Sequence, residues 1–128
     1  MNRKNRIEHD LLGEKEIPQD AYFGIHTLRA KENFPLSGLK IHPELINGLA
    51  LVKKACARAN LELGFLPSEI GQAIIAACED VISGKLHKEI VVDALQGGAG
   101  TSSNMNINEV IANRPIEILG GEKGNYKL

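Results

Sequence analysis

The sequence predicts a mainly α-helical fold, and three observations support that prediction. Aromatic residues make up only 4% of the 128 residues and tryptophan is absent, so the core must be aliphatic, which suits packed helices better than a β-sandwich. Apolar residues recur every three or four positions over 45–63 and again over 70–81, which is the spacing of one helix face. Proline and glycine lie where these helices would begin and end.

Residues 1–40 are expected to form an extended arm. Turn-forming residues recur along it, which favours extended segments, turns and at most short helices; they are Gly13, Pro18, Asp20, Gly24, Pro35 and Gly38. Apolar side chains are spread between them, so we expect the arm to be ordered; they are Ile17, Tyr22, Phe23, Ile25, Leu28 and Phe34.

An antiparallel helix hairpin is predicted over residues 43–84. Pro43 suits a first helical turn, and Gly64 suits the left-handed position after a last turn. The first helix should bury one apolar stripe, made of Leu45, Leu49, Val52, Cys56, Ala59 and Leu63. The second begins at Pro67 and ends at Gly84, with an inner face of Ile70, Ile74, Ala77 and Val81. The short connection between them predicts antiparallel neighbours.

A glycine-rich loop is predicted over residues 96–104, before a last helix over 104–119. The β-branched run Ile90–Val92 is expected to be an extended approach to this loop. The last helix should turn Met105, Val110 and Ile111 inward. Pro115 lies inside it and is expected to kink it, because proline removes one helical hydrogen bond.

Composition excludes several classes of function. Fifteen basic residues against sixteen acidic ones give a net charge of -1, so no basic field exists for nucleic acid. No apolar run is long enough to span a membrane, and the first ten residues do not form a signal peptide. Cys56 and Cys78 are expected to be reduced, buried thiols of a cytoplasmic protein. The four histidines lack metal-ligand spacing, and we expect neither a metal nor another cofactor.

The stretch QGGAGTSSNMNIN, from Gln96 to Asn108, holds the candidate functional residues. Glycine is costly inside helices and strands, by about 0.5–1 kcal/mol relative to alanine, so its concentration here indicates a close backbone approach. A glycine turn that ends at a helix start presents unpaired N–H groups and the positive end of the helix dipole. Such a place binds anions, of which phosphate and carboxylate are the common ones.

The motif favours carboxylate over phosphate. No lysine follows Gly100 as a Walker A loop requires, and Ser103 stands where a dinucleotide fingerprint needs its third glycine. A carboxylate held by threonine and serine hydroxyls fits better. The residues alone leave one alternative open, which is that these hydroxyls only cap the following helix.

The segment QGGAGTSSNMNINEVIANR closely resembles the first conserved segment of the aspartase/fumarase superfamily, in its aspartase form. EKEIPQDAYFGIHTLRAKENF also resembles the start of that form, so the resemblance runs from Arg6 to about Tyr126. Pro115 departs from it, since alanine is usual there. The resemblance implies the N-terminal helical domain of a lyase that removes ammonia from L-aspartate to give fumarate.

The resemblance also implies roles for particular residues. Thr101 matches the superfamily's substrate-binding threonine, and Ser102, Ser103 and Asn104 are further candidates to bind a small dicarboxylate. Their loop backbone is Gly97, Gly98 and Gly100. From its chemistry alone, Arg29 is a further candidate because an arginine fork binds a carboxylate with two hydrogen bonds; the alternative is a surface arginine that is bonded to neighbouring backbone. Asn106 is expected to help to orient the loop, and Asn108 and Glu109 to be solvated or structural.

The resemblance further implies that this chain is incomplete as an enzyme. Superfamily active sites combine three segments from three subunits of a homotetramer, and only the first segment is present here. No catalytic residue is assigned within the 128 residues, so we expect them to be inactive alone, with central and C-terminal domains absent. The alternatives are a fumarase or another fumarate-releasing lyase, and, in another class, a non-catalytic helical interaction domain.

Overall fold

A computed structural model describes residues 4–127. Two strands, β1 (Asn5–Asp10) and β2 (Gly13–Pro18), precede the helices. Four α-helices follow, α1 (Ile25–Asn33), α2 (Pro43–Glu62), α3 (Ser68–Ile82) and α4 (Thr101–Ile118), with a short 3-10 helix at His87–Glu89. The predicted mainly helical class is confirmed. No helix in this described part is long and apolar enough to cross a membrane.

The arm is more regular than the sequence suggested. β1 and β2 form an antiparallel hairpin in which Asp10 pairs with Gly13, and Gly13 takes a φ of +114°. Arg6 ties this hairpin to the residues that follow it, since its guanidinium donates to the carbonyl oxygens of Pro18, Ala21 and Phe23 at 2.8–2.9 Å. These bonds hold the arm in the orientation that α1 needs.

Helix α1 is attached to α4 through one buried carboxylate. Glu109, only 6% exposed, accepts the backbone N–H groups of Gly24, His26 and Thr27 at 2.8, 2.9 and 3.0 Å. The first turn of a helix leaves its N–H groups without helical partners, so Glu109 caps α1 from another element. Of the two roles expected for Glu109, solvated or structural, the structure shows the structural one.

Helices α2 and α3 form the expected antiparallel pair. Lys54 and Glu79 form a salt bridge at 2.8 Å. A Cβ added at Gly71 would lie 2.8 Å from the Leu61 side chain. A later residue of α2 thus lies beside an earlier residue of α3, so the two helices are antiparallel. Small residues at this interface let the two backbones come close.

The predicted apolar stripe of α2 is wrong. Leu45, Val52 and Leu63 are 53%, 61% and 68% exposed, whereas the buried residues of α2 are Ile46, Ala50 and Ala57. Small alanines face α3 because close helix packing requires small side chains. Cys56 is also exposed, contrary to expectation. Cys78 is buried as expected, and its burial raises the pKa of the thiol to about 11.

Helix α4 runs through the core and begins at Thr101, three residues earlier than predicted. Ile107 and Val110 are fully buried, and they pack with side chains from α2, α3 and the 86–92 segment. The helix continues through buried Pro115 to Ile118 rather than being interrupted there. Proline inside a helix costs about 3 kcal/mol, and the packing of the buried residues of α4 offsets that cost.

The segment before the loop approaches α4 without pairing in a sheet. Ile90 and Val92 are 2% and 3% exposed and join the core. Within residues 4–127, this segment forms a single isolated β-bridge, between Lys40 and Asp93. The extended approach expected from the β-branched run therefore leads into the loop as a buried segment.

Candidate functional site

Three successive residues of the loop adopt left-handed backbone conformations. Gly98, Ala99 and Gly100 have φ values of +79°, +54° and +86°. Glycine reaches this region without steric cost, whereas an L side chain does so at a cost. The glycines at 98 and 100 are therefore required by the turn itself, and Ala99 stores some strain between them.

This turn leaves backbone donors unpaired at the start of α4. Within residues 4–127, no hydrogen-bond acceptor meets the N–H groups of Gly97, Gly98, Ala99, Gly100 or Ser102, and only that of Thr101 is bonded, to the Gly98 carbonyl at 3.1 Å. The residues from Gly97 to Thr101 are exposed. Free donors and the positive end of the helix dipole thus face solvent together, which suits an anion.

Thr101 is the first residue of α4 and lies at the surface. Its Oγ1 donates to the Gly98 carbonyl oxygen at 2.5 Å. No side chain caps the helix from the Gly100 position. Because a hydroxyl rotates freely about its C–O bond, Thr101 can exchange this internal bond for one to a ligand oxygen.

Gln96 fixes the loop from the other side, a role that the sequence did not predict. Its Oε1 accepts the Ser103 N–H at 2.9 Å, and its Nε2 donates to the Ser103 hydroxyl and the Asp93 carbonyl. Gln96 therefore supplies the cap that brings the helix start forward to Thr101. The signal in the sequence was the glutamine at position 96, which lies seven positions before Ser103, the residue whose N–H it accepts.

Asp93 anchors the neighbouring turn of residues 37–39. Its carboxylate accepts the hydroxyl and N–H of Ser37 and the N–H groups of Gly38 and Leu95. The hydrogen bond from the Ser37 hydroxyl, helped by these amides, holds the pKa of Asp93 well below its usual value. This turn leads back along the chain to Phe34, whose ring would be 3.2 Å from a Cβ placed on Gly97.

The two predicted serines lie inside the protein rather than at its surface. Ser102 and Ser103 are 8% and 5% exposed, and the Ser103 hydroxyl is bonded to Gln96. The structure thus gives Ser103 a capping role and does not support it as a direct ligand. Ser102 contributes its free N–H to the turn.

The two asparagines behind the loop contact neighbouring parts of the protein. Asn104 accepts a hydrogen bond from the Lys53 ammonium at 2.8 Å. Fully buried Asn106 accepts the Val91 N–H at 2.8 Å and donates to the Glu89 carbonyl at 3.0 Å. Asn106 therefore holds the segment that leads into the loop.

Arg29 contacts the β-hairpin in the described part of the chain. Its guanidinium binds Asp10 with two hydrogen bonds of 2.7 and 2.8 Å and donates a third to the Gly13 carbonyl. These contacts all lie on the β-hairpin, and the hydrogen bond from Arg29 lowers the pKa of Asp10. The predicted carboxylate contact of Arg29 is therefore replaced by a pair within the protein.

Metal-ligating residues are not clustered at this site. Within residues 4–127, no three histidine, cysteine, aspartate or glutamate side chains lie close enough together to hold a metal ion. What the site offers chemically is a set of fixed neutral donors, namely amide N–H groups and one threonine hydroxyl.

Comparison with known proteins assigns the family. A family model described as "Lyase" matches residues 13–127. The chain belongs to the lyase family. The match covers both the hairpin strand β2 and the whole loop, so the family is shown by the arm and by the candidate site together.

One named relative and two solved structures illustrate the match. An aspartate ammonia-lyase from a Bacillus species is 60% identical over 126 residues, which is 98% of this chain and 27% of the relative. The cobalt-bound structure of a fumarate lyase:delta crystallin from Brucella melitensis matches with a TM-score of 0.94 and 57% identity, over 97% of this chain and 27% of that one. A class II fumarase from Schistosoma mansoni matches with a TM-score of 0.90 at 30% identity, over 98% and 27%.

The length of these matches sets their scope. The chain spans about a quarter of the length of the relatives that it matches. The fold and the family therefore apply to these 128 residues, whereas the activity, substrate and assembly of a whole lyase are proposals.

Proposed function

We propose that this chain is part of an ammonia-lyase that converts L-aspartate reversibly to fumarate and ammonia. The observation that supports this most is the loop at the start of α4, where free amides surround the exposed Thr101 hydroxyl. The same chain is 60% identical to a protein named aspartate ammonia-lyase and only 30% identical to the matched fumarase.

The loop fits the charge that this elimination develops. A base removes a proton from the carbon beside the side-chain carboxylate, so negative charge builds on that carboxylate before the amine leaves. Thr101 and the amides of Gly98–Gly100 are donors whose positions are set by the left-handed turn. A preorganised donor of this kind contributes about 2.7–4 kcal/mol to transition-state stabilisation.

The general base is proposed to come from another part of the longer lyase. A base must lie within hydrogen-bond reach of the proton that it removes. The polar side chains of the loop are neutral hydroxyls and amides. Thr101 is bonded to the Gly98 carbonyl oxygen and Gln96 to the Ser103 hydroxyl, and Asn104 accepts from Lys53. The 128 residues alone are therefore proposed to be inactive, although they help to bind the substrate.

The substrate assignment is tested by measuring the ultraviolet absorbance of fumarate. The full-length protein should form fumarate from L-aspartate and not from L-malate at equal concentration. Fumarate release from L-malate alone would contradict the proposal and favour a fumarase. The purified 128-residue chain should release no fumarate from either compound.

Assembly and location are proposed from the same resemblance. We infer that the full-length lyase is a cytoplasmic homotetramer, since the superfamily active site combines segments of three subunits. Light scattering coupled to gel filtration tests the tetramer. A monomer that retains full activity would contradict this part of the proposal.

A further inference from the structure

Lys53 lies behind the loop and contacts it through one side chain. It is half-buried on α2, and its Nζ donates to Oδ1 of Asn104 at 2.8 Å. Asn104 lies in the first turn of α4, three residues after Thr101. Lys53 thus connects α2 to the end of α4 that bears the free donors.

The charge of Lys53 is not neutralised by a nearby carboxylate. Within residues 4–127, no aspartate or glutamate oxygen lies within 4.0 Å of its ammonium, whereas the adjacent Lys54 is paired with Glu79 at 2.8 Å. Both side chains are intermediate in exposure. The two lysines therefore differ in what they contact rather than in how deeply they lie.

The contact also fixes which end of the Asn104 amide is free. An ammonium group only donates hydrogen bonds, so it must meet the carbonyl oxygen of the amide. The NH2 group of Asn104 then has no acceptor among residues 4–127. A free donor is left in the same helical turn as Thr101, which is where a carboxylate would need it.

We propose that Lys53 is a positioning residue for the substrate carboxylate. It holds the Asn104 amide with its NH2 group available to the carboxylate, and it adds an unpaired positive charge behind the start of α4. This inference rests on the proposed function. It assigns a role to a residue of α2 that has no place in the loop motif itself.

Lysine-to-methionine substitutions in the full-length lyase test the proposal. Lys53→Met should raise KM for L-aspartate about tenfold, the size expected for one charge-assisted hydrogen bond, while kcat changes much less. Lys54→Met is the matched control, because it removes the same charge from the neighbouring position, and it should leave KM unchanged. Equal KM values for the two variants would overturn the proposal.

Asn104→Asp separates positioning from folding. The aspartate keeps the link to Lys53 as an ion pair, but it removes the NH2 donor and cancels the charge. We expect KM to rise about tenfold while the melting temperature is retained. An unchanged KM would overturn the proposal, and this variant decides the question even if Lys53→Met fails to fold.

Thr101→Val distinguishes the role of Lys53 from the role of the loop. If Thr101→Val raises KM and both Lys53→Met and Asn104→Asp leave it unchanged, only the role of Lys53 is wrong. If Thr101→Val also has no effect, the carboxylate loop itself is wrong.

Discussion

Replacing Glu109 should loosen the start of α1. The carboxylate accepts three backbone N–H groups at 2.8–3.0 Å, and it is buried. Glu109→Ala leaves all three donors unpaired, each at a cost of about 1–3 kcal/mol. Partial hydration of the three freed N–H groups lowers this sum, so we expect Glu109→Ala to reduce the free energy of unfolding by about 3–5 kcal/mol. Glu109→Gln keeps one acceptor oxygen and should cost about 2–3 kcal/mol.

Hydrogen–deuterium exchange in the full-length protein measures this effect locally. The peptide that covers residues 24–33 should exchange about a hundredfold faster in Glu109→Gln, because each 1.4 kcal/mol corresponds to about a factor of ten. Glu62→Gln is the control, since Glu62 is exposed and has no side-chain hydrogen bond within residues 4–127. Unchanged exchange of α1 in both Glu109 variants would refute the capping role.

Four further substitutions test separate features. Thr27→Val should be neutral or stabilise the protein by up to about 1 kcal/mol, since the buried Thr27 hydroxyl has no partner within residues 4–127; melting temperature checks this. Gly100→Ala should destabilise by about 1 kcal/mol and raise KM, because φ is +86° there. Folding lowers the pKa of Asp93 below 3.8, so its stabilising effect is full above that value and is lost as pH falls below it; Asp93→Asn should flatten the fall in melting temperature from about pH 4 to about pH 2. Arg29→Ala should lower the melting temperature and leave KM unchanged, whereas a raised KM alone would restore its predicted contact with the substrate.

The positions of α2 and α3 were predictable from sequence, but the buried face of α2 was not. Pro43 lies at the first turn and Gly64 just past the end, as predicted, because both signals act through local backbone geometry. Both faces of α2 carry apolar residues, so periodicity alone could not choose between them. The prediction followed the face with the larger side chains, which is exposed. Close packing against α3 buries the face with Ala50 and Ala57 instead.

The loop was found from sequence because glycine, hydroxyl and amide residues were concentrated in one short stretch. Its supporting contacts were not found, since they join distant positions. Lys53 meets Asn104 across 51 residues, and Asp93 meets Ser37 across 56. Arg29 was assigned from its chemistry alone, and only the folded hairpin shows that Asp10 already occupies its guanidinium.

The most direct test of the carboxylate loop is the kinetics of Thr101→Val in the full-length lyase, with Thr27→Val as the matched control. Valine keeps the shape of threonine and removes only the hydroxyl at each position. We predict that Thr101→Val lowers kcat/KM for L-aspartate by about a hundredfold, as expected for one lost donor to a developing negative charge, and that Thr27→Val does not. A Thr101→Val enzyme with the kcat/KM of the unmodified protein would contradict the account.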